Sequence, residues 1–146
     1  MPEDFIDFKG NVNEIIERFK SENLITVGIK DRDGKIVGGG EKIAEKLINL
    51  CDFLLIEADG ARMHPLKAPA NYEPVILKNT TMVVGVAGID SLFKSINKIC
   101  HRPEQVCKIL RKNYNYKINT KDIANILGSE EGQRKNVKDC FNAKYR

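Results

Sequence analysis

Two acids, Glu57 and Asp59, stand two residues apart at the end of the apolar run FLLI (53–56). Gly60, Arg62, Pro65, Lys67 and Pro69 follow before residue 70. Side chains at i and i+2 of an extended chain point to the same side, so the two carboxylates can converge on one cation. Mg²⁺ takes one or two protein carboxylates and fills its other positions with water and phosphate oxygens. An apolar strand ending in acids holds this ion in phosphate-handling enzymes. Glu57 and Asp59 are therefore both the candidate metal ligands and the candidate catalytic acids. Gly60 lets the backbone turn close to a ligand. Arg62 and Lys67, on a loop stiffened by two prolines, can face phosphate or carboxylate. The plainer alternative is a solvated acidic turn in which one acid pairs with Arg62.

Other constellations carry less. A phosphate-binding loop needs GxxxxGK[ST], and no stretch matches it. The nearest candidate is GGGEK (38–42), a Gly-rich turn opening a helix; Glu41 and the lack of Ser or Thr after Lys42 favour a plain turn. Cys100, His101 and Cys107 form a conceivable metal set, but adjacent residues rarely point at one ion and no fourth ligand is spaced to match. His64 can be read as a general base or as a solvated loop histidine.

The elements that must position these residues follow from periodicity. Val12, Ile15, Ile16 and Phe19 share one helical face, which predicts an amphipathic helix from Asn11 to about Glu22. LITVGI (24–29) predicts a strand, DRDG (31–34) a turn and KIV a short returning strand. GGG (38–40) breaks the chain before the helix EKIAEKLINL. DFLLIEA (52–58) and TMVVGVAG (81–88) are continuously apolar, which predicts strands buried on both faces. Pro103 suits a helix start, Thr120 is the expected N-cap of KDIANIL, and Gly128 ends that helix. A further short helix is expected around NVKDCF (136–141). Helices alternating with buried strands predict one α/β domain over residues 1–146 with a mainly parallel sheet. Ligands of such sheets bind beyond the carboxyl ends of the strands, where Glu57 and Asp59 fall.

The chain has 146 residues, 42% of them hydrophobic, enough for a real core. No apolar run approaches the roughly 20 residues that span a bilayer, and the acidic start MPEDFIDFKG lacks an apolar signal region. Four scattered cysteines without CxxC fit reduced thiols in a cytoplasm. Residues 94–146 hold thirteen Lys and Arg against five Asp and Glu, and the rest eleven against fifteen, for a net charge of +4. The basic third reads as a solvated face or as a contact for an anionic partner. RKNYNYK (111–117) is too short to support nucleic-acid binding, so nucleic acid is not an expected partner.

The blocks LLIEADGARMHPLKAP, YEPVIL, VVGVAGID and CHRPEQV resemble, in that order and spacing, the selenium-dependent hydroxylase accessory protein family, YqeC. The likeness is strongest over residues 52–107. It implies a three-layer α/β fold with a P-loop NTPase-like core, and a role in maturing selenium-dependent molybdenum hydroxylases. Mg²⁺ with ATP or GTP is implied for a complete family protein, whereas this chain alone can be without either. Glu57 and Asp59 take the acidic strand-end role, and Lys67, Glu73, His101 and Arg102 fall on motif positions. Gly60, Arg62, Lys67, His101 and Arg102 are thereby the implied cofactor contacts. Such proteins begin with a strand and a GGKTT-type loop and continue into an NKxD-like motif. Neither matches here, so the chain is expected to be truncated relative to the family and not to hydrolyse NTP alone. The implied partner is a molybdenum hydroxylase or its cofactor carrier; the alternative is a non-catalytic docking module of the same fold. Self-association is also expected, through sheet edges left open.

Overall fold

The computed structural model describes residues 5–137 and 144–145. The chain is mixed α/β with small sheets, and three of the four strand pairings among the described residues are parallel. Its contacts divide it into two compact units, Met1–Glu57 and Ala58–Arg146. No helix among the described residues is long and apolar enough to cross a membrane.

In the first unit β1 (Phe5–Asp7), α1 (Val12–Phe19) and β2 (Thr26–Lys30) form a parallel βαβ unit, with Ile6 opposite Val27. Asn11 caps α1 by accepting the Asn13 N–H at 3.0 Å. Asp31 accepts from the N–H groups of Asp33 and Lys35 at 3.0 and 2.8 Å, and Gly34 takes a left-handed φ of +75°. That turn returns β3 (Ile36–Val37) antiparallel to β2, as expected of DRDG. α2 (Gly40–Leu47) follows the GGG break. Ile6, Phe8, Ile15 and Leu47 close the core.

In the second unit β4 (Leu66–Lys67) runs parallel to β6 (Cys100–His101), with Lys67 opposite His101. β5 (Met82–Val83) pairs with β7 (Lys144–Tyr145). α3 (Ile96–Ile99), α4 (Pro103–Leu110) and α5 (Thr120–Gly128) supply most of a core built on Leu66, Ile96, Val106, Ile118 and Ile126. Pro103 occupies the first turn of α4, where its missing N–H leaves no partner unsatisfied.

Three expectations need correcting. DFLLIEA (52–58) is not a strand: Leu54 packs on the first core, but Phe53 and Leu55 are 86% and 87% exposed. A doubly buried parallel strand needs a neighbour on each edge and cover on each face, and no strand among the described residues pairs with this run. TMVVGVAG contracts to the two residues of β5 for the same reason, and Val84 and Val86 are exposed. The N-cap of α5 is Asn119, one residue before Thr120. Its side chain accepts the Asp122 N–H at 3.1 Å while Asp122 accepts the Asn119 N–H at 2.9 Å, a reciprocal capping box that Thr120 cannot make from inside the first turn. The helix expected at 136–141 lies mostly outside the described residues.

Candidate functional site

The carboxylates meet a buried lysine. β4 turns Leu66 into the core and Lys67 to the other side, as strand alternation requires. Lys67 is 4% exposed, and its ammonium needs partners. It pairs with Asp59, donates to the Gly60 carbonyl at 2.9 Å and pairs with Glu73 at 3.0 Å. Glu73 is shared: Arg102 reaches it with two nitrogens, each at 3.1 Å, and Ala70 N–H donates to it at 3.1 Å. Arg102 also donates to the Tyr72 hydroxyl at 3.2 Å and lies 5.5 Å over that ring. Two cations and two carboxylates thus form one neutral network.

Burial pushes Asp59 above the ordinary carboxylate range, with Lys67 opposing that rise. Burial acts the same way on Glu73, but the Ala70 N–H, Lys67 and Arg102 outweigh it and hold Glu73 below that range. His101, opposite Lys67, is held below the usual imidazole range by burial and then by Lys67, Arg102, Arg62 and His64. The rings of His64 and His101 lie 6.1 Å apart, 17° from parallel.

The sequence-predicted residues are therefore only partly brought together. Asp59, Gly60, Lys67, His101 and Arg102 share one site, with His64 beside them. Arg62 is exposed and pairs with neither acid by any ion pair among the described residues. Lys67 is a buried counter-ion and not an exposed anion contact, because its hydrogen bonds are taken up internally. Glu57 is exposed and ends the first unit. Cys100 faces the core while His101 faces Lys67, so the Cys100–His101–Cys107 set does not converge. Burial, then Cys107, pushes the Cys100 thiol up to about 12, and Cys51, Cys100 and Cys107 are free. Among the described residues no three His, Cys, Asp or Glu are placed to hold a metal.

Sequence reasoning missed a clamp on this loop. Gln133 accepts the Val86 N–H at 2.9 Å and donates to the carbonyls of Val86 and Lys67 at 3.0 and 3.3 Å. Its side-chain amide thereby replaces a strand residue. Lys135 donates to the carbonyls of Ala70 and Asn71 at 2.8 and 3.1 Å, and Asn136 to that of Pro74 at 3.0 Å. Side chains of 133–136 thus hold the backbone from Lys67 to Pro74. The VAGID block joins too: Gly88 N–H donates to the Pro65 carbonyl at 2.6 Å, and the buried Ser91 hydroxyl to the Gly88 carbonyl at 2.7 Å.

A family model for the YqeC protein matches residues 2–104. The protein described as "Uncharacterized protein YqeC" of Escherichia coli (strain K12) is 32% identical over 111 residues, which cover 74% of this chain and 43% of that relative. The chain therefore spans less than half the length of the relative it matches. No solved structure matches.

Proposed function

The chain belongs to the YqeC family, and from that premise we propose that it is an accessory protein in the maturation of selenium-dependent molybdenum hydroxylases. The observation that carries the reading is convergence. The blocks ADGARMHPLKAP, YEP, VAGID and CHRP, separate in sequence, meet around Lys67 and Glu73. The proposed partner is a molybdenum hydroxylase or its cofactor carrier, in the cytoplasm.

For longer members we propose a P-loop NTPase-like core using Mg²⁺ with ATP or GTP, with the acids equivalent to Glu57 and Asp59 at the metal. The donor set of this chain does not fit a resident Mg²⁺. The cation at Asp59 is Lys67, and burial favours its protonated form, whereas a metal ligand must be ionised. That pairing favours the docking-module reading, in which the chain works by binding. Self-association belongs to the same proposal, with light scattering of the purified chain as its test.

The deciding experiment is genetic. In a host with a selenium-dependent molybdenum hydroxylase, disrupting the gene should leave hydroxylase protein present but inactive. The wild-type gene should restore activity. Full hydroxylase activity without the gene overturns the proposal.

A further inference from the structure

The ion network leaves three basic side chains over. Lys67 and Arg102 are balanced by Asp59 and Glu73. Arg62, His64 and His101 have no carboxylate ion pair among the described residues. The two histidines stand together by construction, and Arg62, two residues before His64, acts electrostatically on His101. The β4–β6 register sets His101 against Lys67, three residues on from His64, and the two imidazoles face each other 6.1 Å apart. Arg62 and Met63 both hold left-handed backbone, with φ of 48° and 61°, closed by the His64 N–H on the Ala61 carbonyl at 3.0 Å. Two consecutive non-glycine residues in that region are strained, a condition that tends to cluster at ligand sites. Both side chains are exposed.

We propose that Arg62, His64 and His101 form a binding site for a tetrahedral oxyanion of the phosphate-ester class, which fills as His101 takes up a proton. The sign of the ligand follows from the surroundings. The groups acting on His101 from its own strand end, from β4 and from the 60s loop are Arg102, Lys67, Arg62 and His64, all basic. The acids nearby, Asp59 and Glu73, are already paired, so a metal cation would meet repulsion and an anion would not. With neutral histidines the cluster carries three cations against two carboxylates. Protonation of His101 raises the excess from one to two, and its imidazolium offers two N–H donors beside the guanidinium fork. This inference rests on the proposed function only for the choice of site.

The chain has two histidines, both in this cluster, so their C2–H signals report on it without interference. Sodium sulfate, a dianion across the range used, is titrated into the full chain at pH 5.5 and 7.5, with sodium chloride keeping ionic strength constant. Both signals should shift saturably at pH 5.5, and affinity should fall at least about tenfold by pH 7.5 because proton uptake is linked to binding. Arg62→Gln should weaken binding at pH 5.5 by about tenfold without changing the melting temperature, since that side chain is exposed. At pH 5.5 AMP should compete with sulfate and adenosine should not, which identifies the phosphoryl group as the ligand. No saturable shift at pH 5.5, equal affinity at both pH values, or an Arg62→Gln chain that melts and binds like wild type overturns the site. Each of these outcomes is independent of the hydroxylase phenotype.

Discussion

Replacing Lys67 with Met tests whether the buried ion network holds the second unit together. Methionine keeps the length and most of the volume of the lysine stem, so packing changes little. The ammonium is lost, and Asp59, Gly60 and Glu73 each lose a partner. Glu73 keeps Arg102 and the Ala70 N–H, so the stranded group is Asp59. Removing one partner of a fully buried pair costs about 3–5 kcal/mol. Here the Asp59 side chain retains 16% exposure, and it can also escape by protonating, at about 1.4 kcal/mol per pKa unit. The expected loss at pH 7 is therefore about 2–3 kcal/mol, read from urea denaturation. The sign with pH is fixed. A carboxylate whose folded pKa lies above its unfolded value favours the fold below the unfolded value and loses that advantage as pH rises. The mutant's deficit should thus shrink at pH 5. Adding Asp59→Asn should recover most of it at pH 7, because no unpaired charge remains. A loss under about 1 kcal/mol at pH 7, or no recovery in the double mutant, refutes the reasoning.

Three further outcomes are expected. His101 and Glu73 both have lowered folded pKa values, so both give stability above their unfolded values and lose it as pH falls: His101 as pH drops below about 6.5, Glu73 below about 4.5. Melting curves from pH 7.5 to 5 should show a decline that His101→Gln flattens. Gln133→Ala removes both partners of Val86; amide exchange at Val86 should accelerate at least about tenfold, for a loss of about 1–2 kcal/mol. Asn119→Ala should cost about 1 kcal/mol, and Thr120→Ala well under half of that, because only Asn119 caps α5; urea midpoints decide.

Local chemistry made the helices legible. Asn11 and Pro103 act within one turn of themselves, and so does the DRDG turn, whereas Gly128 is the last residue inside α5 and Ser129 is its C-cap. Thr120 misled by one residue because Asn119 is an equally good cap and only it has an acid, Asp122, three positions on. The strands failed where their evidence was long-range. β1 went unread although Ile6 and Phe8 alternate into the core, since the two residues Phe5 and Ile6 between acids give little pattern. The run at 53–56 reads as a strand buried on both faces, yet a continuous apolar run states only that partners are needed and supplies none.

The site divides along the same line. The chemistry of Asp59, Lys67, His101 and Arg102 was readable from residue type, and their partnership was not, because it depends on β4 meeting β6 across more than thirty residues. Lys67 looked like a hand for a ligand; being buried, it had first to satisfy itself, and two carboxylates and a carbonyl do so. Gln133, Lys135 and Asn136 left no trace at all, since side chains that bond backbone carbonyls need no partner type in the sequence. They lie beyond the residues matched by the family model. Part of the basic excess of the last third therefore has an internal use: Lys135 directs its charge to the carbonyls of Ala70 and Asn71, on the backbone just before Glu73. The acid that joins Lys67 to Arg102 thus follows directly on a stretch of backbone that a third cation holds.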